Sequence, residues 1–391
     1  MFLTRGVHSS LQRDLDLFYK EVTGGEFNIR HVTKGAFSKA RAKLKPEAFL
    51  ELNDNVAQTF YSEAPYLGWH NMRLLASDGS RLTLPNHPSI KEEFGEHGFG
   101  PNADSNQSLA LASFLYDPIN LVTLDAQIAP YSSSERDLFY KHLEKVEEGD
   151  LLLLDRGYPS IALMFLILAR KSDFCIRMKE DWWLSVKEFM ESGEKERIVV
   201  FTLPKKDRKK IQEEHPGMAA QITVRLVCVT LETGEKEVLC TSLTDTEKYP
   251  HEDFVDLYHY RWGIEEGYKL FKARVEVENF SGKTAKAVKQ DFYAKVFMMS
   301  LCAVLAFPIE EKVKKEHLES ENKHPKKINR TAALSTTCSI VIALFIKKTV
   351  THAVEAFDTI ISKTTEIVRP GRTEQRKHKP KRHYYMNYKR L

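Results

Sequence analysis

The sequence predicts an α/β protein built on a mixed sheet with helices on both faces, and three observations carry that prediction. The apolar run 151–154 stops at Asp155 and reads as a strand buried on both faces. Two strand-like runs, 109–116 and 121–128, flank Asp117-Pro118-Ile119-Asn120, a turn sequence. Helical spacing recurs later: at 100° per residue, Leu257, Ile264, Tyr268 and Phe271 fall within an arc of about 60°.

Residues 1–70 read as a helical N-terminal region. Leu11, Leu15 and Phe18 are helically spaced, and Thr33 opens a short basic helix running to Leu44. Pro46 fits the first turn of a third helix over 47–60. Three short helices with a basic middle one suit a small DNA-binding unit and equally a plain helical cap.

Residues 71–179 form the first part of the core. The run 72–77 ends at Asp78-Gly79-Ser80, and 81–85 alternates like a second strand, a short extension of the first hairpin. Ser134-Glu135-Arg136-Asp137 opens a capped helix to about residue 146. A buried helix over 160–170 and a strand over 174–178 follow Asp155. Residues 180–246 read as a β-rich insertion, with strands at 198–203, 222–230 and 238–242 and a charged loop at 205–214. Trp182 and Trp183 suit either stacking on an unpaired base or packing.

Residues 247–307 form the last part of the core, including a helix over 285–307 that Pro308 is expected to end. The run Asn279 to Thr284 is not a phosphate-binding P-loop, because its glycine spacing is wrong and no strand precedes it. Residues 308–391 form a helical C-terminal region: a charged connector over 310–330, helix over 331–361, and a basic tail too poor in apolar residues to fold alone.

At 391 residues the chain can bury a large core, and its composition, 42% hydrophobic and 29% charged, is that of a globular protein. The formal charge of +4 does not declare a nucleic-acid binder, but its distribution is uneven. Arg30, Lys34, Lys39, Arg41, Lys43 and Lys45 occur with no acid between them, and nine Lys or Arg face a single Glu374 from Arg369 onward. Basic blocks of this kind suit phosphate contact and also solvated tails. Five scattered cysteines form no CxxC pair, which points to free thiols in a reducing cytosol. No signal pattern opens the chain, and the apolar runs 296–307 and 334–346 fall short of the ~20 residues of a membrane span. A cytoplasmic protein with no membrane partner is expected.

The stretch 258–272, YHYRWGIEEGYKLFK, predicts one helix. Tyr258, Arg261, Glu265 and Lys272 fall within a second arc of about 60° beside the apolar stripe. Arg and Lys neutralise phosphate oxygens, Tyr donates a hydrogen bond, and Glu is a hard oxygen ligand, so the set suits a phosphate backbone beside a metal ion. A solvated face laced with i, i+4 charge pairs accounts for the same pattern.

Tyr-x2-Arg-x3-Glu-x6-Lys resembles the signature of a large group of bacterial insertion-sequence transposases, and all four positions match. The resemblance implies that Glu265 is the last acid of an Asp-Asp-Glu triad whose aspartates end two strands upstream. Asp78 and Asp155 are the residues so placed. The order of strands, helix, strand, helix, strand likewise resembles a ribonuclease H-like fold, and relatives of this kind carry an insertion before the last catalytic helix.

The implied chemistry is cut-and-paste transposition with two Mg2+ ions, for which Mn2+ substitutes. Asp78 would bridge the ions and Asp155 and Glu265 would each complete one, while Tyr258, Arg261 and Lys272 would bind DNA phosphates. The implied partners are double-stranded DNA, as terminal inverted repeats and target, and a second copy of the chain in a homodimer. Two other functions share parts of this pattern: a ribonuclease H-like nuclease without strand transfer, and an inactive transposase-derived DNA-binding protein. Asp117, Asp125 and Asp150, beside other strands, read as turn or capping residues.

Overall fold

Apolar segments separated by turn signals pair into one eight-stranded sheet in the computed structural model of the chain. Its strands are β1 (Arg73–Thr83), β2 (Leu109–Asp117), β3 (Val122–Pro130), β4 (Asp150–Leu154), β5 (Asp173–Met178), β6 (Glu196–Thr202), β7 (Gln221–Thr230) and β8 (Lys236–Thr241). They lie side by side in the order β3-β2-β1-β4-β5-β8-β7-β6. β1, β4 and β5 run parallel, whereas β2 with β3, β5 with β8, β8 with β7 and β7 with β6 pair antiparallel. The fold is therefore mixed α/β, as expected. The structure describes residues 1–6, 9–98, 106–181, 183–231, 234–319 and 324–368, so Trp182 and the tail from Arg369 lie outside it.

The chain divides into two compact units. One holds Glu63–Leu82 and Ala110–Tyr268, and with them nearly all of the sheet. Its central strand β4 is buried at every position, which is why its leucines run unbroken rather than alternating. The β2–β3 turn is held by Asp117, whose Oδ1 accepts from the backbone of Ile119 at 2.8 Å and Asn120 at 2.9 Å. Asp125 pairs with His142 at 2.7 Å and Asp150 with Arg73 at 2.7 Å, so all three of these acids are structural.

Two expectations within this unit are corrected. Residues 72–77 and 81–85 were expected as two strands, but Arg73–Thr83 is one continuous strand and Asp78 lies inside it. The expected charged loop 205–214 is the helix Lys205–Glu214. Lys, Arg, Gln and Glu are good helix formers, and Ile211 gives the helix one buried anchor. The stretch 180–246 does supply three strands, and these extend the main sheet through β8 on β5.

The other unit holds Met1–Ser62, Thr83–Leu109 and Lys269–Leu391. Its helices include Leu11–Thr23, Lys34–Arg41, Ala48–Glu63, Arg330–Phe345 and Val350–Lys363, arranged with a long helix, Ala285–Leu318. That helix runs through Pro308, where a stop was expected. An interior proline costs about 3 kcal/mol. Burial of Ile309 and Val313 beyond it, each worth about 2 kcal/mol, offsets that cost. By length and composition the helix could cross a membrane, but 78% of its most apolar window is buried inside the protein.

Arg41 changes its reading as well. It is withdrawn from the basic block and lies 9% exposed in this unit. Its guanidinium donates to Gln290 Oε1 (2.6 Å), Ser281 Oγ (2.5 Å), Ala287 O (2.7 Å) and Asp291 Oδ1 (2.8 Å). The run Asn279 to Thr284 is therefore a latch: Ser281 bonds Asp291 and Arg41, and Thr284 caps the long helix by accepting from Ala287 N at 3.2 Å. Lys34, Lys39, Lys43 and Lys45 remain exposed. Arg41→Ala is expected to destabilise the protein by about 3–5 kcal/mol in urea unfolding, because it strands the buried Asp291 charge. Lys39→Ala, on the same helix, should change it by under about 0.5 kcal/mol.

Candidate active site where the β1–β4 pairing ends

The parallel register of β1 and β4 sets the site. Arg73 to Ser77 face Asp150 to Leu154 one for one, with Ser77 opposite Leu154 as the last pair. The next residue on each strand is an aspartate, so Asp78 and Asp155 emerge side by side where the pairing ends. Neighbouring strands are about 4.8 Å apart. Each carboxylate accepts from the backbone N–H of the residue after it, Asp78 from Gly79 at 2.8 Å and Asp155 from Arg156.

The stretch predicted as one helix is two. Asp253–His259 ends at Tyr260, and Trp262–Ala273 begins after a tight turn in which Arg261 N bonds Tyr258 O at 3.1 Å and Gly263 N bonds Tyr260 O at 2.9 Å. The apolar stripe survives this break: Leu257, Ile264, Tyr268 and Phe271 are all buried.

Gly263 and Gly267 let the second helix approach the β2–β3 hairpin. A Cβ at Gly263 would come within 2.7 Å of Pro118 Cβ, and one at Gly267 within 3.3 Å of the Tyr116 ring. Tyr268 then fastens the helix to two strands. Its hydroxyl donates to the main-chain oxygen of Asp78 at 2.9 Å and of Ala112 at 3.2 Å, and its ring stacks on Phe114 at 4.5 Å.

Glu265, one turn before Tyr268, is about a third exposed and accepts from Arg261 Nη2 at 3.0 Å. Arg261 itself is 3% exposed, lies over the Trp262 ring at 4.7 Å and the Tyr258 ring at 5.7 Å, and has no partner for its Nε. Burial works against this guanidinium, but Tyr258, Glu265 and Asp155 more than offset it and hold it charged. Tyr258 is buried, and its hydroxyl points to the Leu154 carbonyl at 3.5 Å, beside Asp155 rather than toward open solvent. Lys272 is half-buried in the last turn of the helix, within the unit that begins again at Lys269.

Burial pushes the Asp78 carboxyl up to about 6, against the opposing pull of the Gly79 N–H and Arg261, and the carboxylates of Glu135 and Asp155 add to the rise. Glu135, in the first turn of the helix Glu135–His142, is raised by its own burial and by Asp155. Sequence reasoning treated it only as part of a capped helix start. An acid in a first turn is ordinary helix-dipole chemistry, so nothing in the pattern set it apart. The structure thus brings Asp78, Asp155 and Glu135 into mutual electrostatic reach, and Arg261 links Asp155 to Glu265.

Among the described residues no three carboxylate, imidazole or thiol side chains already converge as a finished metal cage. The donor set nevertheless suits a hard divalent cation, which takes carboxylate oxygens and fills its remaining positions with water and phosphate. A cation there would favour the ionised form of Asp78, which burial, Glu135 and Asp155 oppose.

The sign of the pH effect follows. Asp78 titrates near 3.8 unfolded and about 6 folded, so between those values the folded chain holds the extra proton. Its contribution to stability therefore falls as pH rises through that window. In chelator at pH 7.5, Asp78→Asn should raise stability, by at most about 3 kcal/mol, and the gain should vanish near pH 4 in thermal unfolding.

Comparison with known proteins gives the family. The family described as transposase DDE domain matches residues 69–302. The transposase InsG for insertion sequence element IS4 of Escherichia coli strain K12 is 25% identical over 291 residues, 73% of this chain and 64% of that protein. The chain thus spans somewhat less than two thirds of that relative. The putative transposase InsZ of the same strain is 24% identical over 145 residues, 37% of this chain and 48% of that protein. A piggyBac transposase synaptic complex with hairpin DNA aligns with a TM-score of 0.38 at 10% identity, over 73% of this chain and 57% of that one. With its matched segment spanning β1, β4 and the helix that bears Glu265, the chain belongs to the transposase DDE domain family.

Proposed function

We propose that the chain is a transposase that nicks DNA at the ends of its own element and joins the freed 3′-hydroxyl to target DNA, using Asp78, Asp155 and Glu265. The carrying observation is the register that sets Asp78 beside Asp155 at the end of the β1–β4 pairing. We read the sheet as ribonuclease H-like, since its first five strands lie in the order β3-β2-β1-β4-β5 with a β2–β3 hairpin and parallel β1, β4 and β5.

In this reading Asp78, Asp155 and Glu265 hold two Mg2+ ions, or Mn2+ in their place. The bound ions supply Lewis-acid activation of water or a 3′-hydroxyl and stabilise the leaving oxygen of an in-line displacement. Arg261 serves first as counter-ion to Glu265 and then as a phosphate clamp. Its Nε is unpartnered, and once Glu265 turns to a cation its Nη2 is released as well. Tyr258 buttresses Arg261 from below and steadies the strand end at Leu154, which positions Asp155. Lys272 neutralises a further phosphate. Terminal-repeat DNA, target DNA and a second copy of the chain, each subunit cutting the end held by the other, are the partners of this scheme. The exposed lysines of the helix Lys34–Arg41 and the residues after it offer a cationic surface for the DNA.

The test uses a plasmid carrying the element's terminal repeats. Asp78→Ala, Asp155→Ala and Glu265→Ala are each expected to reduce Mg2+-dependent nicking to background while leaving retardation of the repeat DNA in gels unchanged. Near-normal nicking by any one of them removes that residue from the site. Nicking without joined products on a target plasmid points instead to a nuclease.

A further inference from the structure

We propose that Glu135 is a fourth carboxylate of the cation site, holding a divalent ion together with Asp78 and Asp155. This rests on the metal-dependent reading above and deepens it. The helix that carries Glu135 starts at the tips of β1 and β4: Ser134 caps it by accepting from Arg136 N at 3.2 Å, and Arg136 Nη2 donates to Gly157 O at 3.0 Å. That anchorage lays the Glu135 side chain across Gly79, the residue after Asp78. A Cβ on Gly79 would come within 2.6 Å of both Cγ and Cδ of Glu135. The same carboxylate reaches the other strand, its Oε2 lying 3.9 Å from where a Cβ of Gly157 would stand, two residues after Asp155.

Two further observations point to a missing ligand. Glu135 is only partly exposed, yet among the described residues its carboxylate makes no hydrogen bond and no ion pair, and it faces the charge of Asp155. Nearby, the Tyr158 side chain is 1% exposed, and although Ser77 lies beside its hydroxyl no hydrogen bond of sound geometry forms. That hydroxyl feels the charges of Glu135, Asp78 and Asp155 together. Among the described residues Asp78 and Asp155 each accept from only one backbone N–H, and the Glu135 carboxylate and the Tyr158 hydroxyl have no hydrogen-bond partner, an arrangement that a cation and its water would complete. A helix-dipole role alone would leave Glu135 indifferent to metal.

The experiment titrates Mn2+ into the full chain without DNA and reads free Mn2+ by electron paramagnetic resonance. Wild type, Asp78→Asn, Asp155→Asn and Glu135→Gln are compared, with circular dichroism as the check on folding. Glu135→Gln keeps the side chain's shape and removes its charge, and it is expected to weaken Mn2+ binding by about 10-fold or more. If the two aspartate variants lose affinity and Glu135→Gln does not, the Glu135 assignment is overturned and the site at Asp78 and Asp155 stands. If neither aspartate variant loses affinity, the metal-dependent reading fails and this inference falls with it. Should Glu135→Gln not fold, Glu135→Asp is read in its place. That variant keeps the charge but loses one methylene of reach, and wild-type affinity there would overturn the assignment.

Discussion

Like charges held side by side by parallel strand pairing are the constraint from which the rest of this site follows. The backbone ladder of β1 and β4 runs through Ser77 and Leu154 and then delivers two aspartates to adjacent positions. Hydrogen bonds along the strands and burial of the leucines stabilise that arrangement regardless of what the carboxylates prefer. Burial first, and then the carboxylates of Glu135 and Asp155, push the Asp78 carboxyl up to about 6. The core thus holds acidic side chains where burial and one another's charge oppose their ionisation.

Arg261 stands on the other side of that balance. Its guanidinium is buried between two aromatic rings, paired with Glu265, and close enough to feel Asp155. It places a positive charge among the acids. Tyr258, which the sequence grouped with the phosphate-binding side chains, lies against Arg261 and the end of β4. The signature residues therefore form a support as much as a contact surface.

Much of this was legible in the residues, for physical reasons that can be named. A buried parallel strand demands an unbroken apolar run, so the four leucines ending at Asp155 declared both β4 and its acidic tip. The stripe of Leu257, Ile264, Tyr268 and Phe271 predicted the buried face correctly. The break at Tyr260 and Arg261 was invisible because a short 3-10-like turn preserves nearly the same angular order of side chains. Continuity across Asp78-Gly79-Ser80 and through Pro308 was missed for the opposite reason, since local turn and breaker signals were overridden by long-range pairing and packing. Glu135 was hidden because its importance comes only from what it is folded against, 56 residues after Gly79 in sequence and in contact with it in space.

The paired glycines of the helix bearing Glu265 carry a consequence for which substitutions this chain tolerates. Methyl-sized additions at Gly263 have no room against Pro118, and at Gly267 they press on Tyr116, so the helix would have to lift from the hairpin. Lifting it would slacken the tether from Tyr268 to the backbone of Asp78 and move Glu265 relative to the strands that carry Asp78 and Asp155. Bulk acquired at either glycine would thus leave every acidic residue in the sequence and still displace Glu265.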